Sequence, residues 1–184
     1  MKRVLIPFTT GVEEIELVAI VDILRRADVE VCMASLDGKP VVGRSGITLH
    51  ADQHIQDCVN KAWDMIVLPG GLPNAQLLQD SNIIKDMMCK QAAQQKIIAA
   101  ICAAPVALAH FGLTANKQVT SYPSFEAEMQ QQQPSSKYKQ QAVVKDEHII
   151  TSRGAGTAIE FALALVAQLC GQQQSQDIRV SIVA

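Results

Sequence analysis

Runs of apolar residues of strand length, separated by stretches with helical spacing, restrict this chain to a small set of folds. Segments 3–8, 29–36, 63–69 and 96–101 are dominated by Val, Ile, Leu, Ala and Met, with only isolated polar residues. A strand exposed on one face alternates apolar and polar positions. A near-continuous run is the mark of a parallel strand covered on both faces. The intervening stretches supply the cover, with helices expected at 12–27, 81–95, 105–111 and 157–170. This order predicts an α/β three-layer sandwich with a mainly parallel sheet. The 184 residues suffice for one core, so a single domain spanning 1–184 is expected.

Local signals agree with these boundaries. Glu13 and Glu14 suit the positive start of the first helix, and Arg25 and Arg26 its negative end. Gly112 and Gly171 stop later helices. Segments 40–42 and 46–50 read as a short strand pair on an edge, and 118–120 as a further short strand. Segments 141–145 and 148–151 read as a hairpin with His148 solvent-facing at its turn. Gln130 to Gln133 followed by Pro134 reads as a surface excursion, and 172–184 as a polar helix or tail.

Several functions are disfavoured. A formal net charge of −2 with no basic block argues against nucleic-acid binding. The first residues lack a signal-peptide layout, and the longest apolar run, 97–109, is broken by Pro105 and too short to span a bilayer. The five cysteines, Cys32, Cys58, Cys89, Cys102 and Cys170, are odd in number and contain no C-x-x-C. That speaks against a disulfide framework or a zinc site and for a reducing cytoplasm. Neither a P-loop nor a G-x-G-x-x-G occurs, and no cofactor or metal is expected.

In a parallel sheet the site lies at the carboxyl ends of the strands, and three features end up there. Cys102 sits at a strand-to-helix turn, where a helix start should ease thiolate formation. Gly70-Gly71 follows another strand, as a plain turn or as a close backbone approach with outward N–H groups. Glu16 heads the apolar stripe of the first helix (Glu16, Ala19, Ile20, Ile23, Leu24, Ala27), either as a stripe edge reaching solvent or as a buried acid. Their convergence points to a cysteine-centred site. The glycine loop at 152–156 is by itself a weak phosphate signal. His50, His54, His110 and His148 have no visible partner and do not pair with Cys102.

The stretches Gly11-Val-Glu-Glu-Ile-Glu16, Asp22-Ile-Leu-Arg-Arg-Ala27, Val67-Leu-Pro-Gly-Gly71, Ala99-Ala-Ile-Cys-Ala-Ala-Pro105 and Thr151-Ser-Arg-Gly-Ala-Gly-Thr157 carry a family resemblance. Over essentially its whole length the chain resembles the ThiJ/PfpI superfamily, in its protein-deglycase branch. The resemblance implies a flavodoxin-like fold and a homodimer. It implies that Cys102 is the reactive nucleophile, that Glu16 is a protonated partner hydrogen-bonded to it, and that the Gly71 and Ala103 N–H groups form an anion-binding pair. Gly70 and Tyr122 are candidate pocket residues. Superfamily peptidases carry a histidine directly after the cysteine, where this chain has Ala103. A deglycase relative has one in the segment where this chain has Tyr122. Peptidase chemistry, which needs that imidazole, is therefore disfavoured. The implied activity is a glutathione-independent glyoxalase or protein deglycase acting on small dicarbonyls or glycated side chains. The alternative is a redox-sensing stress chaperone using the same cysteine.

Overall fold

The computed structural model describes residues 1–38 and 40–184. Seven strands make the central sheet: β1 (Arg3–Phe8), β2 (Glu30–Ser35), β5 (Gln53–His54), β6 (Met65–Leu68), β7 (Ile97–Ile101), β10 (Val143–Asp146) and β11 (Ile149–Ser152). Their order is β10-β11-β7-β6-β1-β2-β5. Every pairing is parallel except β10 with β11. Two small pairs stand apart: β3 (Val41–Val42) with β4 (Thr48–Leu49), and β8 (Gln118–Val119) with β9 (Lys137–Tyr138).

The apolar runs are continuous because each strand feeds two cores. From β1, Val4, Ile6 and Phe8 enter one core, while Leu5 enters the other. Met65 and Val67 oppose Ile66 and Leu68 in the same way, and Ala99 and Ile101 oppose Ile98 and Ala100. Alternation is present, but both sides are apolar. The first core is closed by α1 (Glu14–Arg26) and α6 (Ala158–Cys170), with α7 (Gln172–Ser181) packed behind α6. The second is closed by α2 (Asn74–Asp80), α3 (Asn82–Ala93) and α4 (Pro105–His110). The result is the expected three-layer sandwich with a flavodoxin-like parallel sheet.

The structure departs from the sequence reading at four places. The β3–β4 pair forms its own small sheet rather than the edge of the main one, and the edge is the two-residue β5. The hairpin instead folds over the β1–α1 turn, where Gly11 N donates to Val42 O and Arg44 N to Val12 O, each at 2.9 Å. The glutamine run belongs to a helix, α5 (Glu126–Gln132), because Met129 is fully buried beneath it against Val106 and Val119. Helix α2 had no periodicity long enough to be read. His148, expected at the surface, is half-buried beside Glu147.

Strand β1 lies between β2 and β6, so the chain leaves it in opposite directions. First it builds outward through β2 and β5, then back through β6, β7 and β11. This is a topological switch point, where loops diverge and leave a crevice at the strand ends. The α1–α6 layer supports that crevice from below. Phe161 is fully buried in the same core as Leu17 and Ile20. Phe161→Ala is expected to cost about 3–5 kcal/mol in urea unfolding, through lost transfer energy and the cavity left behind.

Candidate functional site

Three adjacent strands deliver the site: β1 leads to Glu16, β6 to Gly70 and Gly71, and β7 to Cys102. Cys102 follows Ile101 directly and takes a left-handed backbone conformation, φ 64°. Such a conformation costs a non-glycine residue about 1–3 kcal/mol and persists only where neighbours enforce it. Here they do. Cys102 N donates to Ser152 O at 3.0 Å, extending the β7–β11 pairing by one residue, and Cys102 O accepts from Tyr122 N at 2.8 Å. The turn is therefore locked on both sides, and the half-buried sulfur faces the crevice.

Glu16 settles on the buried alternative. It is 0% exposed and accepts from Gly70 N through Oε2 at 2.8 Å. Oε1 has no partner at ordinary hydrogen-bond geometry, and the carboxyl's remaining polar interaction is with the Cys102 thiol. Gly70 has to be glycine. A Cβ there would lie 2.5 Å from Cys102 Cβ and 2.6 Å from Glu16 Oε2. Gly71 is constrained twice, by φ 88° and by the backbone of 11–13, which leaves no room for a Cβ. The Gly71 and Ala103 N–H groups both pull the Cys102 thiol toward its anion.

The electrostatics correct one expectation. The thiol was expected to be lowered by the helix start. Instead burial, together with the charge and hydrogen bonding of Glu16, pushes it up to about 12, against the downward pull of the Gly71 and Ala103 amides. Burial also raises the Glu16 carboxyl, to about 7, against the Gly70 amide and the Cys102 thiol. The two groups act as one coupled acid. Losing one proton gives either a carboxylate facing a thiol or a thiolate facing a carboxylic acid. In the second form the Glu16 charge that raises the thiol is gone, and the carboxyl O–H donates toward sulfur. The first proton leaves the pair near neutral pH and the second only in strong base.

A pocket of about 290 Å³ opens above the sulfur, lined by Arg44, Leu72, Tyr122, Ser124 and Phe125 as well as Gly71, Cys102 and Ala103. Tyr122 is thus a wall residue. Its ring also lies against Gly154, where a Cβ would stand 3.1 Å from Tyr122 Cδ2 and 3.9 Å from Cys102 Sγ. The glycine loop after β11 therefore keeps space beside the sulfur. Thr157 holds it, its Oγ1 accepting from Gly154 N at 3.1 Å and lying 2.7 Å from Ser152 Oγ. None of the four histidines lines this pocket. Among the described residues no three His, Cys, Asp or Glu side chains group as a metal-ligand set.

Two contributors went unrecognised in the sequence. Asn74 is fully buried, accepts from Thr9 N at 2.8 Å and donates to Pro69 O and Gly70 O at 2.8 and 2.9 Å. It ties the β1 and β6 loops together, and its position just past Gly-Gly-x-Pro is a turn signal that could have flagged it. Arg44 arrives from the β3–β4 hairpin, which Glu14 anchors by accepting from Ser45 N at 2.8 Å and Ile47 N at 3.3 Å. Burial opposes the Glu14 charge, but these N–H donors hold it below the usual carboxylate range. No local pattern marks Arg44.

Cysteine alkylation followed by mass should rise through a step near pH 7 at Cys102 in the wild type. In Glu16→Gln that step should vanish, leaving one simple thiol titration. A carboxyl raised by folding stabilises the fold most when protonated. The Glu16 contribution is therefore full below about pH 4.5 and is lost as pH climbs to about 7. Urea unfolding across that window should show a decline in the wild type that Glu16→Gln lacks.

Comparison with known proteins gives a consistent picture. The model of the DJ-1/PfpI family matches residues 2–168. The chain is 36% identical over 184 residues to the Parkinson disease protein 7 homolog of Danio rerio, covering 99% of this chain and 97% of that protein. It is 33% identical over 166 residues to a Caenorhabditis elegans protein named glutathione-independent glyoxalase DJR-1.2, covering 90% and 87% of the two. The oxidized DJ-1 structure from Toxoplasma gondii superposes with a TM-score of 0.94 at 37% identity, covering 100% of this chain and 98% of that one.

Proposed function

The chain belongs to the DJ-1/PfpI family, and from that premise we propose that it is a glutathione-independent glyoxalase and protein deglycase in carbonyl-stress defence, with Cys102 as nucleophile. The observation that carries this reading is the facing Cys102–Glu16 pair beneath a small open pocket, with two amide N–H groups that favour the thiolate. The glyoxalase name of the nematode relative supports it.

With methylglyoxal, the thiolate form attacks the aldehyde carbon and a C–S bond forms. The carbonyl oxygen becomes an oxyanion, which the Gly71 and Ala103 amides are placed to receive, and protonation gives a hemithioacetal. Glu16, then a carboxylate, takes the proton from the former aldehyde carbon and returns it to the neighbouring carbon, through an enediol, to give a lactoyl thioester. Water cleaves the C–S bond, lactate leaves and the thiol is restored. The balance is one dicarbonyl plus one water to one hydroxy acid. A carboxyl raised to about 7 by burial is suited to both receiving and returning a proton at neutral pH. A glycated side chain joins at the same carbon: the bond to Cys102 sulfur forms as the carbinol bond to the amine, guanidine or thiol breaks, that group leaves with a proton, and the resulting hemithioacetal follows the same steps.

A second reading uses the same atoms. With peroxide, the thiolate sulfur gains oxygen to give a sulfenic acid while peroxide is reduced to water, and a second equivalent gives the sulfinate. The two amides that favour the thiolate equally favour a sulfinate oxygen, which supports a redox-sensing role coupled to client binding.

Free cysteines at all five positions fit the reducing cytoplasm proposed for the chain. For the homodimer, Ile15 and Val18 on α1 and Val42 and Ile47 on the hairpin that Glu14 ties to α1 are exposed apolar side chains that a second copy would cover.

Cys102→Ser should abolish conversion of methylglyoxal to lactate in a glutathione-free assay. Glu16→Gln should lower kcat by about 10²-fold or more while the fold survives. Full turnover in Cys102→Ser would sink the enzymatic reading. Peroxide-dependent mass gain confined to Cys102, with altered client retention and no turnover, would favour the second.

A further inference from the structure

Strands β6 and β7 carry Gly70 and Cys102 at their carboxyl ends. A different cavity lies at their amino ends, between the segment 59–63 and α3. Its volume is about 150 Å³, well above the ~30 Å³ that one liquid water takes up. Its floor is apolar and buried: Trp63, Ile66 and Met87. Around the mouth stand three lysines, Lys61, Lys90 and Lys96, and no acidic residue lines it.

This cavity is built rather than incidental. Trp63 Nε1 donates to Cys58 O at 3.2 Å, and Gln91 Nε2 donates to Trp63 O at 3.2 Å, clamping loop and helix together. The Arg3 guanidinium lies 4.7 Å from the Trp63 ring centroid. Arg3 is otherwise occupied, donating to Glu30 Oε1 and to Ala62 O at 3.1 Å each. The neighbouring acid, Asp64, is occupied as well. It accepts from Arg3 N at 2.8 Å and pairs with Lys2 at 3.4 Å. Lys61 reaches a neutral partner, Gln53 Oε1. Among the described residues, neither Lys90 nor Lys96 has a carboxylate within 4.0 Å.

Asp64 exerts only a longer-range pull on Lys96; like charges gathered at one concavity repel, and a bound anion would convert that repulsion into attraction. The donor type indicates which anion. Arginine forks match planar carboxylates and phosphates alike, whereas ammonium groups are compact point charges that can surround a tetrahedral group from several directions. The only arginine nearby is already spent on other partners. We propose that this pocket is a second binding site, taking a small free anion of the phosphate class, with Lys61, Lys90 and Lys96 as its charged ligands. The site is separate from the cysteine chemistry and does not depend on the function proposed for Cys102.

Trp63 is the only tryptophan in the chain, so the pocket carries its own reporter. Inorganic pyrophosphate is titrated into the full-length protein at constant ionic strength, set with sodium chloride, while Trp63 fluorescence is followed. A saturable change is expected, weakened by about tenfold or more (a loss of about 1.4 kcal/mol) in Lys90→Glu/Lys96→Glu. The unliganded melting temperature and Cys102 alkylation of that variant should match the wild type. Pyrophosphate should also shield Lys90 and Lys96 of the wild-type protein from acetylation, a readout that needs no variant to fold. A non-saturating response, equal saturation by citrate, or undiminished affinity in the double variant would overturn the proposal. So would lysine-dependent sedimentation with phosphatidate vesicles in the absence of pyrophosphate saturation, because that would make the anion a lipid headgroup.

Discussion

A carboxyl group with no solvent exposure, set against a thiol, is the interaction that the rest of the site accommodates. An isolated buried carboxylate is expensive, and the cost falls if the group keeps its proton or finds donors. Glu16 has one amide donor, Gly70 N, and faces the Cys102 thiol, with the Glu13 charge raising it further and the Arg44 charge opposing that. That pairing dictates the surrounding sequence. Gly70 must lack a side chain because its Cα sits between the two reactive groups. Gly71 must be able to turn left-handed so that its N–H faces the sulfur. Cys102 accepts a strained backbone because hydrogen bonds on either side of it leave no alternative.

The topology explains why these groups can meet at all. Glu16, Gly70 and Cys102 are far apart in sequence, but β1, β6 and β7 are neighbours in the sheet and run the same way. Adjacent parallel strands end at the same level. Residues just past their ends are therefore brought together without any long-range fitting of side chains. Asn74 and the Glu14-anchored hairpin then tie the loops that would otherwise be the loosest parts of the structure.

What could be read from the residues follows this division. The central strands and long helices were legible because burial on two faces writes itself as unbroken apolar runs and helical stripes. Cys102 and the glycine pair were legible because strand ends are where a parallel sheet exposes chemistry. Glu16 was ambiguous from spacing alone, since the first position of an apolar stripe is equally a boundary and a burial. Motif resemblance pointed to the buried alternative, and the structure agrees. Short elements such as α2, α5 and β5 left no periodic trace, and α5 was hidden by a run of glutamines that bury only Met129. Arg44 could not be found, because nothing local says that a hairpin will fold back over the first helix start. The direction of the thiol's acidity also escaped. A helix start suggested stabilisation of the anion, but burial and a facing carboxylate outweigh it.

Almost every hydrogen bond that holds the Cys102–Glu16 pair is made by the main chain: the Gly70 amide on Glu16, the Ser152 carbonyl and the Tyr122 amide on the Cys102 backbone, and the Gly71 and Ala103 amides acting on the thiol. Glu16 is the one side chain that acts on the thiol beside them. The wall above is the reverse, made of the side chains of Arg44, Leu72, Tyr122, Ser124 and Phe125. Reactivity and admission are thus encoded in different kinds of atoms. Point substitutions can redecorate the entrance, and with it the range of molecules admitted, while leaving the chemistry below intact. A lineage built on this scaffold can change its diet without rebuilding its catalyst.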